Sequence, residues 1–317
     1  MSELKSAYAM SISGRMTLQM HSLNNEGGEG NQITTRTVAL VDPDGTVYKV
    51  NAISGDMFKH IQAEHLYLRA KGNLPLCAGC QVFSASRAMD DDRFKSAKNL
   101  PKTDAETIDL LLKVCAIDDM EGNLIVPRGA ARSIPRKSVA EFGWVVGLPD
   151  KTRTESYFHV RYAAERGGDE GVEQPIFHRP ASSGVYAAVA SFELARIGFN
   201  DITQTYPLDE DERLARYKVF LESVLYTFVE PNGAMRNTQN PHIVTFEGVV
   251  TVSHEVMPAP ALSPLSDGYR EEIAGVAEAL SRGRNGALAV YPFDTMSRFA
   301  DILQDIIAST RPYRLFA

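Results

Sequence analysis

Residues 50–66 read VNAISGDMFKHIQAEHL, and the reading turns on Ser54. Up to that point the chain has strand character. Ser54 then supplies an N-cap oxygen, and Asp56 places an acid in the first turn, where the helix dipole favours negative charge. Met57, Ile61, His65 and Leu68 recur at i, i+4, i+8 and i+11, one face of a helix, while Lys59, Gln62 and Arg69 fall away from that stripe. Gly72 ends the element. A strand running into a capped helix is the start of a β-α unit, so the order of the elements on either side sets the fold.

Upstream, residues 8–20, YAMSISGRMTLQM, alternate apolar with small or polar residues at period two and predict a strand. The polar stretch HSLNNEGGEGNQ that follows predicts an irregular loop. Arg36 to Val41, the DPDG turn and Val47 to Val50 predict a hairpin. Downstream, residues 73–135 read as an irregular insertion with one amphipathic helix near 104–114. Lys137 to Leu148 predicts a strand, with Phe142, Trp144 and Val146 alternating. Residues 150–180 predict a second insertion, a hairpin, and Gly184 to Ile197 a further strand. The four residues Asp209 to Glu212 begin a helix with Leu214, Tyr217, Leu221, Val224 and Phe228 on its buried face. A strand over His242 to Ser253, a helix near 268–282, a short strand ALAVYP and a helix over 294–309 complete the chain. The order resembles a split β-α-β core of the kind found in RNA-recognition-motif sheets.

Composition bounds the function. The chain has 317 residues, 44% hydrophobic and 23% charged, ordinary for a soluble globular protein. There is no apolar run of 18 residues or more and no secretory leader pattern, and three cysteines form no even disulfide framework. A reducing, cytoplasmic setting without membrane contact is therefore expected. The net charge of −7 counts against a protein wrapped in nucleic acid. It leaves room for a local positive groove, because phosphates need counter-charge only where they lie. Residues 127–137, PRGAARSIPRK, carry Arg128, Arg132, Arg136 and Lys137 without an acid. A solvated surface loop explains that run equally well.

Enzyme signatures are missing. No G-x-S-x-G elbow, Walker loop or H-E-x-x-H helix occurs. Asp90, Asp91, Asp92, Asp118 and Asp119 lie in expected loops and read as solvated acids, since consecutive carboxylates point apart and a two-metal site needs convergent ones. Cys77 and Cys80 form a C-x-x-C, half of a tetrahedral zinc site. Cys115, a distant His or another chain would have to complete it. Two reduced cysteines in a surface turn is the reading preferred here, so no cofactor and no metal site are expected.

Several polar clusters suit a nucleic-acid backbone. Ser54, Gly55, Lys59 and His60 place a Ser-Gly turn, a helix N-terminus and a cation together, a combination suited to a phosphate oxygen. His21, Asn24, Asn25, Asn31 and Arg36 gather around the first loop, where Asn both donates and accepts and Arg grips phosphate bidentately. Phe177, His178 and Arg179 combine stacking surface with a cation. Each has a bland alternative: an N-cap with a surface Lys, asparagines forming turns, a strand pairing in a hairpin.

Five segments, in order, resemble one family. SISGRMTLQMHSLNNEGGEGN (11–31), VNAISGDMFKHIQAEHL (50–66), IPRKSVAEFGW (134–144), QPIFHRPASSGVYA (174–187) and GAMRNTQNPH (233–242) are similar to the DevR-type CRISPR-associated backbone subunits of the RAMP superfamily. The likeness spans roughly residues 8–255. It implies an α+β fold: a modified RNA-recognition-motif, or ferredoxin-like, palm with fingers and thumb insertions. On this chain the palm would take 1–71, 136–149 and 183–317 with the C-terminal helices, the fingers 72–135 and the thumb hairpin 150–182.

The resemblance also implies a role. Such subunits bind the CRISPR guide RNA, polymerise along it in a helical filament of identical copies within a Cascade complex, and present it for pairing with a target DNA strand. The implied neighbours are the RAMP subunit that holds the guide's 5′ handle, the large subunit and the guide-processing endonuclease. Arg15, Arg136, Lys137, Met235 and Arg236 lie in the matching segments and join the loop, turn and hairpin residues as expected RNA contacts. Related subunits cut target RNA with an Asp in the first loop. Here that loop has Glu26 and Glu29 and no Asp, so a non-catalytic subunit is expected. A metal-dependent ribonuclease using those glutamates is the alternative, and an RNA-independent regulatory protein is a third reading.

Overall fold

The strand that opens the sheet is set by the alternation first seen in the sequence. Ala9–His21 buries Met10, Ile12, Met16 and Leu18 on one face. It lies between His242–Ser253 on one side and Ile176–Phe192 on the other, antiparallel to both. The computed structural model describes residues 4–129, 132–160, 176–233 and 236–316. Across the sheet the strands run Leu288–Phe293, His242–Ser253, Ala9–His21, Ile176–Phe192, Val145–Val160, Val47–Ile53 and Thr37–Val41. The protein is thus of mixed α+β class.

Two helices, Gly55–Ala70 and Glu210–Val229, pack on one another across a polar seam. Gln62 Nε2 donates to Ser223 Oγ at 2.7 Å, and Arg69 pairs with Glu222 at 2.7 Å. Beneath them lies an aromatic core. Phe228 stacks on Phe246 at 5.1 Å, and Phe299 of the helix Met296–Ser309 meets both rings edge-on. Each buried Phe contributes about 1.5–3 kcal/mol through area removed from water, so this cluster anchors both helices to the sheet.

Several expectations are corrected. The buried face of Gly55–Ala70 is Phe58, Ile61, Gln62, His65 and Leu66, whereas Leu68 is 61% exposed. Gln62 sits inside with its Nε2 donating to Ser223 Oγ. The first loop is not irregular: Asn25–Glu29 and Gln32–Thr35 pair as a hairpin. The strand expected over Lys137 to Leu148 breaks into Ala140–Phe142 and the start of Val145–Val160. Its inward residues are Val145, Gly147 and Leu148, and Trp144 is 44% exposed.

Segment 72–135 holds more structure than one helix. Besides Asp104–Val114, with its Thr103–Glu106 capping box, it contains Ala78–Gln81, Ala116–Glu121 and a strand pair formed with Ile134–Arg136. The acids expected to be solvated are partly inside: Asp118 and Asp119 are fully buried, as are Cys77, Cys80 and Cys115. Asp119 accepts from Arg136 Nη2 at 2.7 Å, Arg216 Nη1 at 2.9 Å and the Gly198 N–H. Two guanidinium groups thus neutralise a carboxylate that could not otherwise be buried.

Segment 150–182 is built from Val145–Val160 and Ile176–Phe192, paired from Thr152↔Gly184 to Val160↔Ile176. The tip 165–173 lies outside the described residues. Among the described residues no helix is long and apolar enough to cross a membrane.

Candidate nucleic-acid interface

Lys59 is the residue around which the surface is organised. It sits one turn into the helix Gly55–Ala70 and borders three adjoining clefts. One is lined by Asp56, His60, Phe83, Ser84 and Arg87, the second by Gly55, Ser138, Glu141, Phe142 and Trp144, and the third by Arg87, Glu121, Asn123 and Ser138. Burial of its stem lowers the Lys59 ammonium pKa below the ordinary lysine value. That leaves it a less hydrated cation, ready to exchange water for an anion.

The helix start is fixed by a local network. Ser54 Oγ accepts the Met57 N–H at 3.2 Å, and the Ser54 N–H is taken by Asn24 Oδ1 at 2.7 Å. Gly55 is required here, because a Cβ would lie 2.3 Å from the Phe142 carbonyl oxygen. The first-turn N–H groups of Gly55 and Asp56 lack intrahelical acceptors. Arg36 lies over the Trp144 ring at 5.4 Å and pairs with Glu26 at 3.3 Å. His60 packs against Phe83 at 5.8 Å. The trough therefore offers a helix N-terminus, the cations Lys59, Arg87 and Arg36, and two aromatic faces. The acids Asp56, Glu141 and Glu121 line it as well.

Other expected contacts have different surroundings. Arg136 is fully buried between Asp119 and Asp201 and bonds the Phe199 and Arg196 carbonyls, so it has no surface to give a nucleotide. Arg15 is held by the Pro264 carbonyl, by Asp267 at 2.7 Å and over Tyr269, which removes it from the trough. His21 is buried edge-on to Tyr186, and desolvation lowers its pKa to about 4, so the ring is neutral at pH 7. Asn24 is likewise inside, and its role is the bond to Ser54. Asn25 accepts from Ser22, while Asn31 is exposed and its carbonyl takes the His178 N–H.

Lys137 is shared by Glu141 and Glu193 at 3.1 and 3.0 Å. On the hairpin, Phe177 stacks on His159 at 5.7 Å, Arg179 lies 4.7 Å from the Phe177 ring, and His178 meets Phe158 edge-on. These residues line none of the three Lys59 clefts and form their own aromatic-cationic patch. Arg236 pairs with Glu230 at 3.0 Å, and Met235 lies outside the described residues.

The sequence reading missed Arg87 and Trp144. Arg87 stands in the left-handed region at φ 49° after an irregular turn, with no periodic signal to mark it. Trp144 falls in the expected alternation of Phe142, Trp144 and Val146, whereas the inward residues are Val145 and Gly147, one position out of phase. A second cluster, Cys77, Cys80, Cys115 and Asp118, lies beneath the wall formed by Phe83, Ser84 and Arg87. Burial pushes the Asp118 carboxyl up to about 8.

The sheet, its paired helices and the Lys59 trough define a mixed α+β protein with a surface suited to anionic chains. The chain belongs to the CRISPR-associated negative auto-regulator DevR/Csa2 family, whose model matches residues 12–274. It is 24% identical over 259 residues to CRISPR-associated protein Cas7/Csa2 1 of Saccharolobus solfataricus, covering 78% of this chain and 79% of the relative. It is 25% identical over 295 residues to CRISPR-associated protein Cas7/Cst2/DevR of Methanocaldococcus jannaschii, covering 84% and 86%. Its fold is similar to a chain of a solved CRISPR RNA-guided surveillance complex, with a TM-score of 0.50 and 12% identity over 95% of this chain and 98% of that one.

Proposed function

We propose that this chain is a non-catalytic backbone subunit that binds a CRISPR guide RNA by its ribose-phosphate chain, with successive copies lying along one transcript. The observation that carries the reading is the Lys59 trough: a capped helix N-terminus, three cations and exposed Trp144 at one surface. Such groups grip phosphate and stack on any base. They do not read base edges, which a holder of arbitrary guides must leave free for pairing. A few cations per copy suffice when one RNA crosses many copies, which fits the net charge of −7.

The topology supports a palm of RNA-recognition-motif type. Ala9–His21, Gly55–Ala70, Val145–Val160, Ile176–Phe192, Glu210–Val229 and His242–Ser253 follow β-α-β-β-α-β, and the four strands lie in the order fourth, first, third, second. On that reading 72–135 serves as fingers and the 150–182 hairpin as thumb. The Cas7 names of the relatives and the RNA-guided complex containing a chain of this fold agree with assembly beside other complex subunits. Glu26, the first-loop acid proposed for the rival nuclease, is engaged by Arg36, and this favours a binding role over metal chemistry.

The test is purification from cells that carry a CRISPR array. A small RNA of uniform length should accompany the protein, and isolated protein should bind unrelated single-stranded RNAs with similar affinity. Absence of both would overturn the reading in favour of a regulator that acts without RNA. Regular cleavage of complementary RNA by the complex in magnesium would instead establish the nuclease.

A further inference from the structure

The sequence offers one half-site, C-x-x-C at Cys77 and Cys80, and the structure supplies the second. Cys115-Ala116-Ile117-Asp118 repeats the same x-x spacing with a carboxylate in place of the last sulfur. The two turns are brought side by side, with the Ala116 N–H donating to the Pro75 carbonyl at 2.8 Å. The three Sγ atoms and an Asp118 oxygen then lie within 4.8 Å of one another, and all four residues are buried.

We propose that Cys77, Cys80, Cys115 and Asp118 hold a single structural zinc ion. A tetrahedral ion with Zn–S of about 2.3 Å and Zn–O of about 2.0–2.2 Å places sulfurs roughly 3.8 Å apart and sulfur and oxygen roughly 3.5 Å apart. Asp118 Oδ2 lies 3.2 Å from Cys77 Sγ and 3.7 Å from Cys80 Sγ, bracketing that value. The groups around the ligands are also placed. Asn123 Nδ2 donates to the other Asp118 oxygen at 2.7 Å, and Arg87 lies 3.8 Å from the same atom. The Asp118 N–H points at Cys115 Sγ at 3.4 Å. Such contacts orient ligands and offset the excess negative charge of three thiolates and a carboxylate.

Other occupants fit less well. Thiolates are soft donors, which disfavours magnesium or calcium. An iron–sulfur cluster is held by four cysteines, and here there are three. The turn is made for close packing as well: a Cβ on Gly79 would lie 2.0 Å from the Arg87 carbonyl. The ion would lock residues 77–80 to 115–118 and so fix Phe83, Ser84 and Arg87, one wall of the Lys59 trough.

The test uses full-length protein purified under reducing conditions without chelator, with metals measured by mass spectrometry. About one zinc per chain is expected, and cobalt in its place should give the visible bands of a tetrahedral thiolate site. Thiol-reactive dye should modify the three cysteines slowly until a strong chelator is added. Cys115→Ser should lose the metal, and Asp118→Cys should keep it. The variants bear on the ligands, while the wild-type metal content decides the proposal even if Cys115→Ser does not fold. Protein that is metal-free and takes up no zinc on titration overturns it, as does iron in the site or a Cys77–Cys80 disulfide.

Discussion

Asn24 Oδ1 accepts the backbone N–H of Ser54 at 2.7 Å, so the residue that caps the first helix is itself positioned by the first loop, thirty positions upstream. The loop hairpin and the helix start therefore move as one piece. Asn24→Ala should leave the buried Ser54 N–H without an acceptor and cost about 1–3 kcal/mol. The check is a lower denaturation midpoint with an unchanged denaturant slope. Asn24→Asp keeps the acceptor and should lose less.

Lys59→Ala should weaken binding to single-stranded RNA by a similar factor for every sequence, about 3- to 10-fold. It should also reduce the slope of log affinity against log salt by about 0.7, the value of one single-strand phosphate contact. Fluorescence anisotropy on several unrelated RNAs over a salt series reads both. A loss confined to one sequence would place Lys59 against a base edge instead.

Trp144→Ala should reduce RNA affinity by about 1–3 kcal/mol, the usual worth of a base on an aromatic face, and Trp144→Phe should restore much of it. Because the indole is 44% exposed, folding stability should change little. Equal affinity of the Ala variant would remove Trp144 from the interface.

Glu121 provides a pH test. It is buried, its carboxylate oxygens find no hydrogen-bond partner, and burial raises its pKa to about 7 despite the nearby Arg87, Lys59 and Gln62. A carboxyl raised in the folded state contributes its stability in full below the unfolded value near 4.5 and loses it as the pH rises through about 7. By linkage the loss is on the order of 3 kcal/mol. Denaturation midpoints from pH 5 to 8 should fall in the wild type and fall less steeply in Glu121→Gln, the remaining slope coming from Asp118, whose carboxyl is also raised. Parallel profiles would rule this group out as their source.

Asp119→Ala should be the most damaging single change, about 3–5 kcal/mol, because it removes the buried carboxylate that Arg136 and Arg216 share and leaves each with a partly exposed partner, Asp201 and Glu212. Asp119→Asn keeps the shape and loses the charge, so it should fall between. Thermal melts of the three proteins give the ranking.

The sequence disclosed the elements that rest on local rules. Ser54 caps the helix it was expected to cap, the acids from Asp209 begin the next helix as expected, and the strand His242–Ser253 has its expected bounds. What failed depends on long-range partners. Gln62 is core where Ser223, far along the chain, takes its Nε2, and Arg136 is core where Asp119 and Asp201 pair with it. A polar residue carries no local mark of whether a distant partner awaits it. Arg87 and Trp144 are hidden otherwise, by an irregular turn and by an alternation one residue out of phase, and Asp118 by its place among acids expected in loops.

The three-way meeting at Asp119 limits how this fold can be edited. The carboxylate comes from segment 72–135, while Arg216 and the Gly198 amide come from the body. A chain stripped of that segment would leave the buried Arg216 guanidinium with only the partly exposed Glu212 to answer it. The segment is thus no detachable accessory: exchanging it with that of a relative requires carrying the acid across, or replacing the arginines at the same time.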